Sequence, residues 1–230
     1  MQVIPSTAAS ATFAGAVPRN DVGNLSATYT QNTNASKMDV FQRRTVKEVV
    51  QLRVDGSARV TRTVTLTNDS PRYLGTGPDP GHGYTTRWAG AAVIAMMPRG
   101  ARIVGQPTAT GSFSVAKHAV QVRGVKTGTD QGGRPYAQAE LLLPPRASGS
   151  VTWSYVVPNA TVRHGNALRF LDYLAPQSTL NAPSLQLEVH APKGWTVQPA
   201  TGWTVDGGSA TTQLSANRSA VLKVQVAPSP

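Results

Sequence analysis

The stretch VVQLRVDGSARVTRTVTLTN (49–68) decides the fold class, because it carries the clearest periodicity in the chain. Apolar and polar residues alternate on both sides of the dipeptide Asp55-Gly56. A period of two is typical of a half-buried strand, and Asp-Gly between two such runs is typical of a hairpin. The stretch therefore predicts two antiparallel strands joined by a type I′ turn, with positive φ at both Asp55 and Gly56.

Arg62 interrupts this alternation, because it falls on the apolar face of the second strand. The preferred interpretation places it near a sheet margin, where the guanidinium extends into water past its apolar stem. A buried ion pair is the alternative.

Most of the remaining chain repeats the strand pattern in short apolar segments bounded by glycine or proline. These segments are 91–98, 101–106, 112–115, 119–124, 137–144, 151–158, 168–176, 185–192, 211–215 and 221–228. In 151–158, alternation predicts Val151, Trp153 and Tyr155 on one face of a strand. Only residues 6–16 are small and apolar enough to suggest a short helix. The fold class is predicted to be all-β.

Similarity between segments of the chain indicates a domain organisation. Residues 97–115 resemble 191–205, and residues 143–158 resemble 214–228, each of the latter pair ending in a polar turn and an alternating strand. Such an ending is common in immunoglobulin-like β-sandwiches. The prediction is two tandem sandwiches, a larger one over 44–158 and a smaller one over 159–230. An N-terminal extension and lead-in strand, 1–43, precede them.

Composition limits the classes of function. The chain has 230 residues and no cysteine, so disulfides, a thiolate nucleophile and zinc–thiolate sites are excluded. Its net charge of +11 favours anionic partners. The basic residues are scattered, with Arg43-Arg44 the only adjacent pair, and no recognition helix accompanies them, which argues against nucleic acid. No run approaches the roughly 20 apolar residues of a membrane helix, and the first twenty residues lack the features of a signal peptide.

Few motifs carry chemistry. The four histidines lie far apart in the sequence at His82, His118, His164 and His190, so no metal-binding spacing occurs. Neither a G-x-S-x-G elbow nor a phosphate-binding loop is present. The sequence therefore predicts no catalytic residue, metal or cofactor. Five Asn-x-Ser/Thr motifs begin at Asn24, Asn34, Asn68, Asn159 and Asn217, and are interpreted as chance matches in a Ser/Thr-rich chain.

Two pairs of carboxylates stay open as a glycosidase acid and base, since such a pair needs a separation of roughly 5–9.5 Å in space. One pair is Asp69 with Asp79, and the other is Glu140 with Asp172. The simpler interpretation is that these are solvated turn residues and hydrogen-bonded strand ends.

The most site-like segment is the glycine- and proline-rich loop from residue 73 to residue 88. It gathers Tyr73, His82, Tyr84, Arg87 and Trp88 in a chain with only 6% aromatic residues. Aromatic faces and arginine donors suit stacking on, and hydrogen bonding to, a sugar or an anionic glycan. The alternative is that Tyr84 and Trp88 anchor a long loop onto the sandwich.

Several local motifs together resemble a known family. They are Asn34, Ser36, Lys37, Asp39 and Phe41, then TLTN (65–68) with Pro71, PRGA (98–101) and PKGW (192–195). From about Gly15 onward the chain is similar to the C-terminal extracytoplasmic region of the actinobacterial domain-of-unknown-function-4012 family.

This resemblance implies a cell-envelope protein with an N-terminal membrane helix and a large outer portion, of which the present chain is the C-terminal piece. It implies an extracellular or cell-surface location on a membrane-anchored protein, and no activity. Lys37 and Asp39 are expected to fix the junction in QNTNASKMDVFQRR (31–44) rather than to catalyse a reaction.

Three functions are therefore in competition. The leading one is a non-enzymatic extracellular structural or interaction module of an actinobacterial envelope protein. The second is a module that uses the 73–88 loop to bind a glycan or an anionic wall polymer, and the third is an envelope carbohydrate-processing enzyme. The expected partners are an anionic cell-wall polysaccharide or another envelope protein.

Overall fold

The structure is a computed structural model that describes residues 22–112, 120–177 and 179–229. The short helix predicted over 6–16 lies outside these residues. The strands are β1 Asn24–Asn32, β2 Gln42–Leu52, β3 Ala58–Asn68, β4 Ala89–Met96, β5 Arg102–Ile103, β6 Thr108–Ser112, β7 Gln121–Thr129, β8 Pro135–Leu143, β9 Ser148–Val157, β10 Thr161–His164, β11 Ala167–Leu174, β12 Ser184–His190, β13 Trp195–Val197, β14 Thr204–Asp206, β15 Ser209–Ser215 and β16 Ala220–Pro228. A single 3₁₀ turn, Met38–Phe41, stands among them in the described part of the chain.

The strands form two mixed sheets of eight strands each. Sheet 1 has the order β13-β16-β11-β1-β4-β8-β7, with β10 beside β11. Sheet 2 has the order β14-β15-β12-β2-β3-β9-β5, with β6 also beside β9. Because alternate side chains of strands from both sheets enter one apolar core, the molecule is a β-sandwich. The predicted all-β sandwich class is confirmed.

Both sheets run through strands from both predicted sandwiches. β11 pairs in parallel with β1 in sheet 1, and β12 pairs in parallel with β2 in sheet 2. β1 falls within the predicted N-terminal extension, yet it lies in the interior of sheet 1 between β11 and β4. The tandem organisation is not confirmed, and the boundaries at 43 and 158 remain predictions.

The hairpin of 49–68 is confirmed, with β2 and β3 antiparallel and Leu52 opposite Ala58. Its turn differs from the prediction. The Arg53 carbonyl accepts from the Gly56 N–H at 3.0 Å, and the Arg53 N–H donates to the Ser57 carbonyl at 2.9 Å, which makes a three-residue loop. Gly56 has φ 87°, whereas Asp55 is not among the residues with positive φ, so the type I′ turn is wrong.

The Asp55 side chain gives the reason. Its Oδ1 accepts from the backbone N–H of Ser57 at 2.9 Å and from the Ser57 hydroxyl at 2.7 Å. An aspartate bonded two residues ahead forms an Asx-type turn. A single αL glycine then closes the three-residue loop.

The closing strand β9 is oriented as predicted. Val151, Trp153 and Tyr155 all point into the core, with exposures of 0, 1 and 0%. Ser150, Thr152 and Ser154 alternate with them and are only partly buried. Period-two alternation therefore predicted the face correctly, because only one face of this sheet is covered by the other.

The junction 31–44 contains the connection that carries the chain from β1 in sheet 1 to β2 in sheet 2. The Asn32 side-chain amide donates to the Ser36 carbonyl at 2.7 Å and to Asp39 Oδ2 at 3.1 Å. The Lys37 ammonium lies 4.6 Å from the centre of the Tyr84 ring. Lys37 and Asp39 thus both make structural contacts at this connection.

Candidate functional site

Arg62 is fully buried between the sheets, so its predicted place at a sheet margin is wrong. Its Nε donates to Glu48 Oε1 at 2.8 Å, and both side chains are 0% exposed. Burial opposes the charge on Arg62, but Glu48, Tyr155 and Asp172 outweigh it and raise the pKa of the guanidinium. The minority interpretation, a buried ion pair, is the correct one.

The two Nη groups of Arg62 donate to the Tyr155 hydroxyl at 2.7 Å and to the backbone of the facing sheet. β1 pairs with β11 over Asn24–Ser26 and with β4 from Ala27 onward. At this change of partner, Arg62 donates to the main-chain carbonyls of Leu25, Ala27 and Met96. Buried carbonyls need a donor, so Arg62 completes sheet 1 where its ladder is interrupted.

Two carboxylates share this network. The Asn24 side-chain amide donates to Glu48 Oε2 and to Asp172 Oδ1, each at 2.9 Å, and the Ser26 hydroxyl donates to Asp172 Oδ2 at 2.6 Å. The Tyr155 hydroxyl donates to Asn24 Oδ1 at 2.9 Å. Burial and the neighbouring Glu48 raise the pKa of Asp172 to about 7. The arrangement links β1, β4 and β11 of sheet 1 to β2, β3 and β9 of sheet 2 across the core.

Glu140 and Asp172 do not face a common cleft. Asp172 is sealed in the core, whereas Glu140 is flanked by two core residues of β8 and so points to the outer face of sheet 1. Asp69 forms an ion pair with Arg43 on the surface. Asp79 accepts from the Thr86 hydroxyl at 2.6 Å and from the backbone N–H groups of Gly81 and Arg87, each at 3.0 Å.

The five loop residues predicted from composition have different environments. Trp88 is buried, and the amide of Asn34 donates to its carbonyl at 2.9 Å. Tyr73 and Arg87 are half-buried. His82 and Tyr84 are exposed. Trp88 thus anchors the loop, whereas Tyr84 is 68% exposed and contacts Lys37, and of the five side chains only those of His82 and Tyr84 are exposed.

Three of the Asn-x-Ser/Thr motifs have structural roles. Asn24 belongs to the core network, Asn34 supports Trp88, and Asn68 donates to the carbonyls of Arg87 and Leu143. All three asparagines are buried, and a buried amide has no room for a glycan in the folded chain.

A second region, which sequence reasoning missed, is a polar groove where the chain crosses twice between the sheets. We call it the Arg44 groove, and its volume is about 280 Å³. It lies between the end of β1, the start of β2 and the segment that joins β11 to β12. Around Arg44 it is lined by Thr30, Asn32, Asp39, Gln42, Gln177 and Asn181, with Leu180 as its apolar lining residue.

The groove is braced by two side-chain amides. Gln177 accepts from the Thr30 N–H and donates to the Thr30 carbonyl, each at 2.7 Å, so it pairs with β1 as a further strand would. Asn181 donates to the carbonyls of Val40 and Gln42 at 2.9 and 3.0 Å. Together they fix the β11–β12 segment over the connection between β1 and β2.

Arg44 is the charged group of this groove and is 7% exposed. Its Nη1 donates to Gln177 Oε1 at 2.9 Å and to Thr30 Oγ1 at 3.2 Å. Its Nε is buried without a hydrogen-bond partner. None of the described carboxylates lies within ion-pairing distance. Burial lowers the pKa of Arg44 to about 10, so the guanidinium stays charged at neutral pH.

A small void continues inward from Arg44. Its volume is about 20 Å³, and Ser26, Arg44 and Glu48 contribute to its lining. This is enough for one water molecule. The core network and the Arg44 groove are therefore neighbours along the inner face of β2.

One sequence signal pointed to this region. Arg44, Val46, Glu48 and Val50 share the inward side of β2 by alternation, and all four are buried. Period two carried back from Val50 would have placed both charged residues inside. No local pattern marked Gln177 or Asn181, because their role depends on contacts with a segment more than a hundred residues away.

No group of three or more metal-ligating side chains comes together in the described part of the chain. Within the same residues, no helix has the length and apolar character that crossing a membrane requires.

No family model and no curated protein matches this chain. Among solved structures, it is similar to a proposed nutrient binding protein of Legionella pneumophila, with 12% identity and a TM-score of 0.44 over 90% of this chain and 71% of that one. It is also similar to an M1 zinc metallopeptidase of Deinococcus radiodurans, with 12% identity and a TM-score of 0.35 over 82% of this chain. The chain spans 42% of the length of that metallopeptidase. Both TM-scores are below 0.5, so no function is transferred from either protein.

Proposed function

We propose that this chain is a non-enzymatic interaction module in the extracellular part of an actinobacterial cell-envelope protein, and that its partner is an anionic wall polymer. The envelope location rests on the resemblance carried by Lys37, Asp39 and the TLTN, PRGA and PKGW motifs. The nature of the partner rests on the distribution of charge over the surface.

The observation that carries the proposal is the separation of acidic from basic side chains. The exposed acidic residues among those described are Asp39, Asp55 and Asp206. The exposed basic residues are Lys37, Arg43, Lys47, Arg53, Arg59, Arg72, Arg99, Arg102, Arg123, Lys126, Arg146, Arg163, Arg169, Lys193, Arg218 and Lys223. The other described acidic residues are buried or half-buried, so the ratio of basic to acidic side chains is higher on the surface than in the chain as a whole. Such a surface attracts polyanions.

Sedimentation with purified actinobacterial cell walls tests this proposal. The protein is expected to co-sediment at low salt and to be released as the salt rises to about 0.5 M, because exposed charges are then screened within a few ångströms. Walls stripped of their anionic polymers are the control. Equal binding to stripped walls, or no binding at low salt, would overturn the proposal.

The second candidate, glycan binding by the 73–88 loop, is favoured by the exposure of His82 and Tyr84. A stacking contact would use the Tyr84 ring, whose other face contacts Lys37. Tyr84→Ala should then weaken binding to wall polysaccharide more than Lys223→Ala, which removes an exposed charge elsewhere. Equal small losses would leave surface charge as the whole cause, and the loop would have no role in recognition.

A further inference from the structure

We infer that the Arg44 groove is a binding site for a carboxylate carried by a small hydroxylated molecule, such as a sugar acid of monosaccharide size. The inference goes beyond the proposed function, because it concerns a built site and not the diffuse charge of the surface. It would hold wherever the protein is located.

The first step is the charge on Arg44. Arg44 is 7% exposed, so its guanidinium loses much of its hydration, and this loss is costly unless an anion compensates it. Arg62, the most deeply buried of the described arginines, has Glu48 for this purpose. Arg44 has only the neutral oxygens of Gln177 and Thr30. The protein therefore holds a positive charge in place and leaves the compensating negative charge to a ligand.

The second step is the geometry of the guanidinium. Nη1 is occupied by Gln177 and Thr30, whereas neither Nε nor Nη2 has a hydrogen-bond partner among the described residues. Nε is closed off by the surrounding groups, so Nη2 is the donor left to a ligand in the groove. A charge-assisted hydrogen bond from Nη2 can reach one oxygen of a carboxylate.

The third step is the lining of the groove. Its volume of about 280 Å³ is at the small end of ligand pockets, so it suits one monosaccharide unit and not a polymer segment. Asn32, Gln42 and Thr30 bring amide and hydroxyl groups to its walls. Such groups both donate and accept hydrogen bonds, as the hydroxyls of a sugar do.

Asp39 limits the charge of the ligand. It is exposed on the groove wall and carries a negative charge close to the site. A ligand with a single negative charge can reach Arg44 at modest cost, whereas a doubly charged phosphate is repelled more strongly. The groove thus favours a carboxylate over a phosphate.

A bound water is the competing explanation for the free Nε. The void beside Arg44 has room for one water. Such a water would satisfy one N–H, but it would leave the charge of the guanidinium uncompensated, and it would not compete with a carboxylate in a binding experiment.

Titration calorimetry with D-glucuronate, D-glucose, acetate and inorganic phosphate tests the inference on the full chain. Glucuronate is expected to bind with a Kd of about 1 mM or tighter. Glucose lacks the carboxylate and acetate lacks the hydroxyl groups, so each is expected to bind at least about tenfold more weakly than glucuronate. In a ¹⁵N–¹H NMR spectrum, glucuronate should shift the Arg44 Nε–H signal.

Adjacent arginines supply a matched pair of variants. Arg44→Gln should weaken glucuronate binding about tenfold or more, whereas Arg43→Gln, whose side chain is 75% exposed, should bind as the wild type does. Asp39→Asn should tighten binding about two- to fivefold by removing repulsion. If Arg44→Gln does not fold, Arg44→Lys and Asp39→Asn still give opposite changes in affinity.

Binding of glucose as tightly as glucuronate would overturn the inference, and so would unchanged affinity in Arg44→Gln or a preference for phosphate. No binding of glucuronate at about 20 mM would also overturn it, leaving a water at Nε as the explanation. The wall-sedimentation assay separates this result from the proposed function, since Arg44→Gln leaves the exposed basic residues and their wall binding intact.

Discussion

Replacing Arg62 with methionine tests whether the buried network holds the two sheets together. Methionine keeps most of the length and the apolar stem of arginine, so the substitution removes the charge and the donors with little change in packing volume. In the variant Glu48 remains buried without its ion-pair partner. The carbonyls of Leu25 and Met96 lose the donor that Arg62 supplies.

The magnitude follows from these losses. Removing one partner of a buried ion pair costs about 3–5 kcal/mol, because the other charge is left uncompensated. Each orphaned buried acceptor adds about 1–3 kcal/mol, although such costs do not add fully within one network. We therefore expect Arg62→Met to lower the free energy of unfolding by at least about 4 kcal/mol, a large part of the 5–15 kcal/mol of an ordinary domain.

Urea unfolding at pH 7, followed by tryptophan fluorescence, measures this loss. Arg59→Met is the matched control, because Arg59 lies on the same strand with its side chain exposed. It should change the free energy of unfolding by no more than about 0.5 kcal/mol. In the double variant Arg62→Met/Glu48→Gln the uncharged amide should recover more than about 1 kcal/mol of the loss. A loss below about 1 kcal/mol in Arg62→Met, or the absence of any recovery, would refute the assigned role of the network.

Two further predictions concern Asp172 and Gly56. Burial raises the pKa of Asp172 from 3.8 to about 7, so its proton stabilises the fold at low pH, and this contribution is lost as the pH rises from about 4 to about 7. Asp172→Asn should remove up to about 4 kcal/mol of this pH-dependent fall in the free energy of unfolding. Parallel pH profiles of unfolding for variant and wild type would contradict it. Gly56→Val should cost about 1 kcal/mol or more in thermal unfolding, because φ is +87° and an added Cβ would lie 3.0 Å from Thr161 Oγ1; an unchanged Tm would show that the loop relaxes freely.

Much of the fold could be predicted from local pattern. Alternation placed β2, β3 and β9 correctly, including the inward face of Trp153. It succeeded because one face of each sheet is buried and the other faces water, so apolar and polar residues alternate with a period of two. The pairing of β1 with β11 and of β2 with β12 left no such trace, since parallel partners distant in sequence carry no local signal.

The candidate site was predicted much less well than the fold. Composition drew attention to the 73–88 loop, but Trp88, its largest aromatic residue, proved to be buried. Composition shows which residue types a segment contains, but it does not show which of their side chains are exposed to solvent. The Arg44 groove was missed because its walls come from three segments that meet only in the folded chain.

The arginines on the inward faces of β2 and β3 separate what the sequence determines from what only the tertiary structure decides. The sequence by itself put Arg62 on the apolar face of its strand, and the same alternation carried back along β2 leaves Arg44 on the inward face. Only the tertiary structure decided that Arg62 has an ionic partner in Glu48 whereas Arg44 has neutral oxygens. The physical reason is that the energy of a buried charge depends on the groups within a few ångströms of it. For Arg44 one of those groups is Gln177, which lies 133 positions away along the chain.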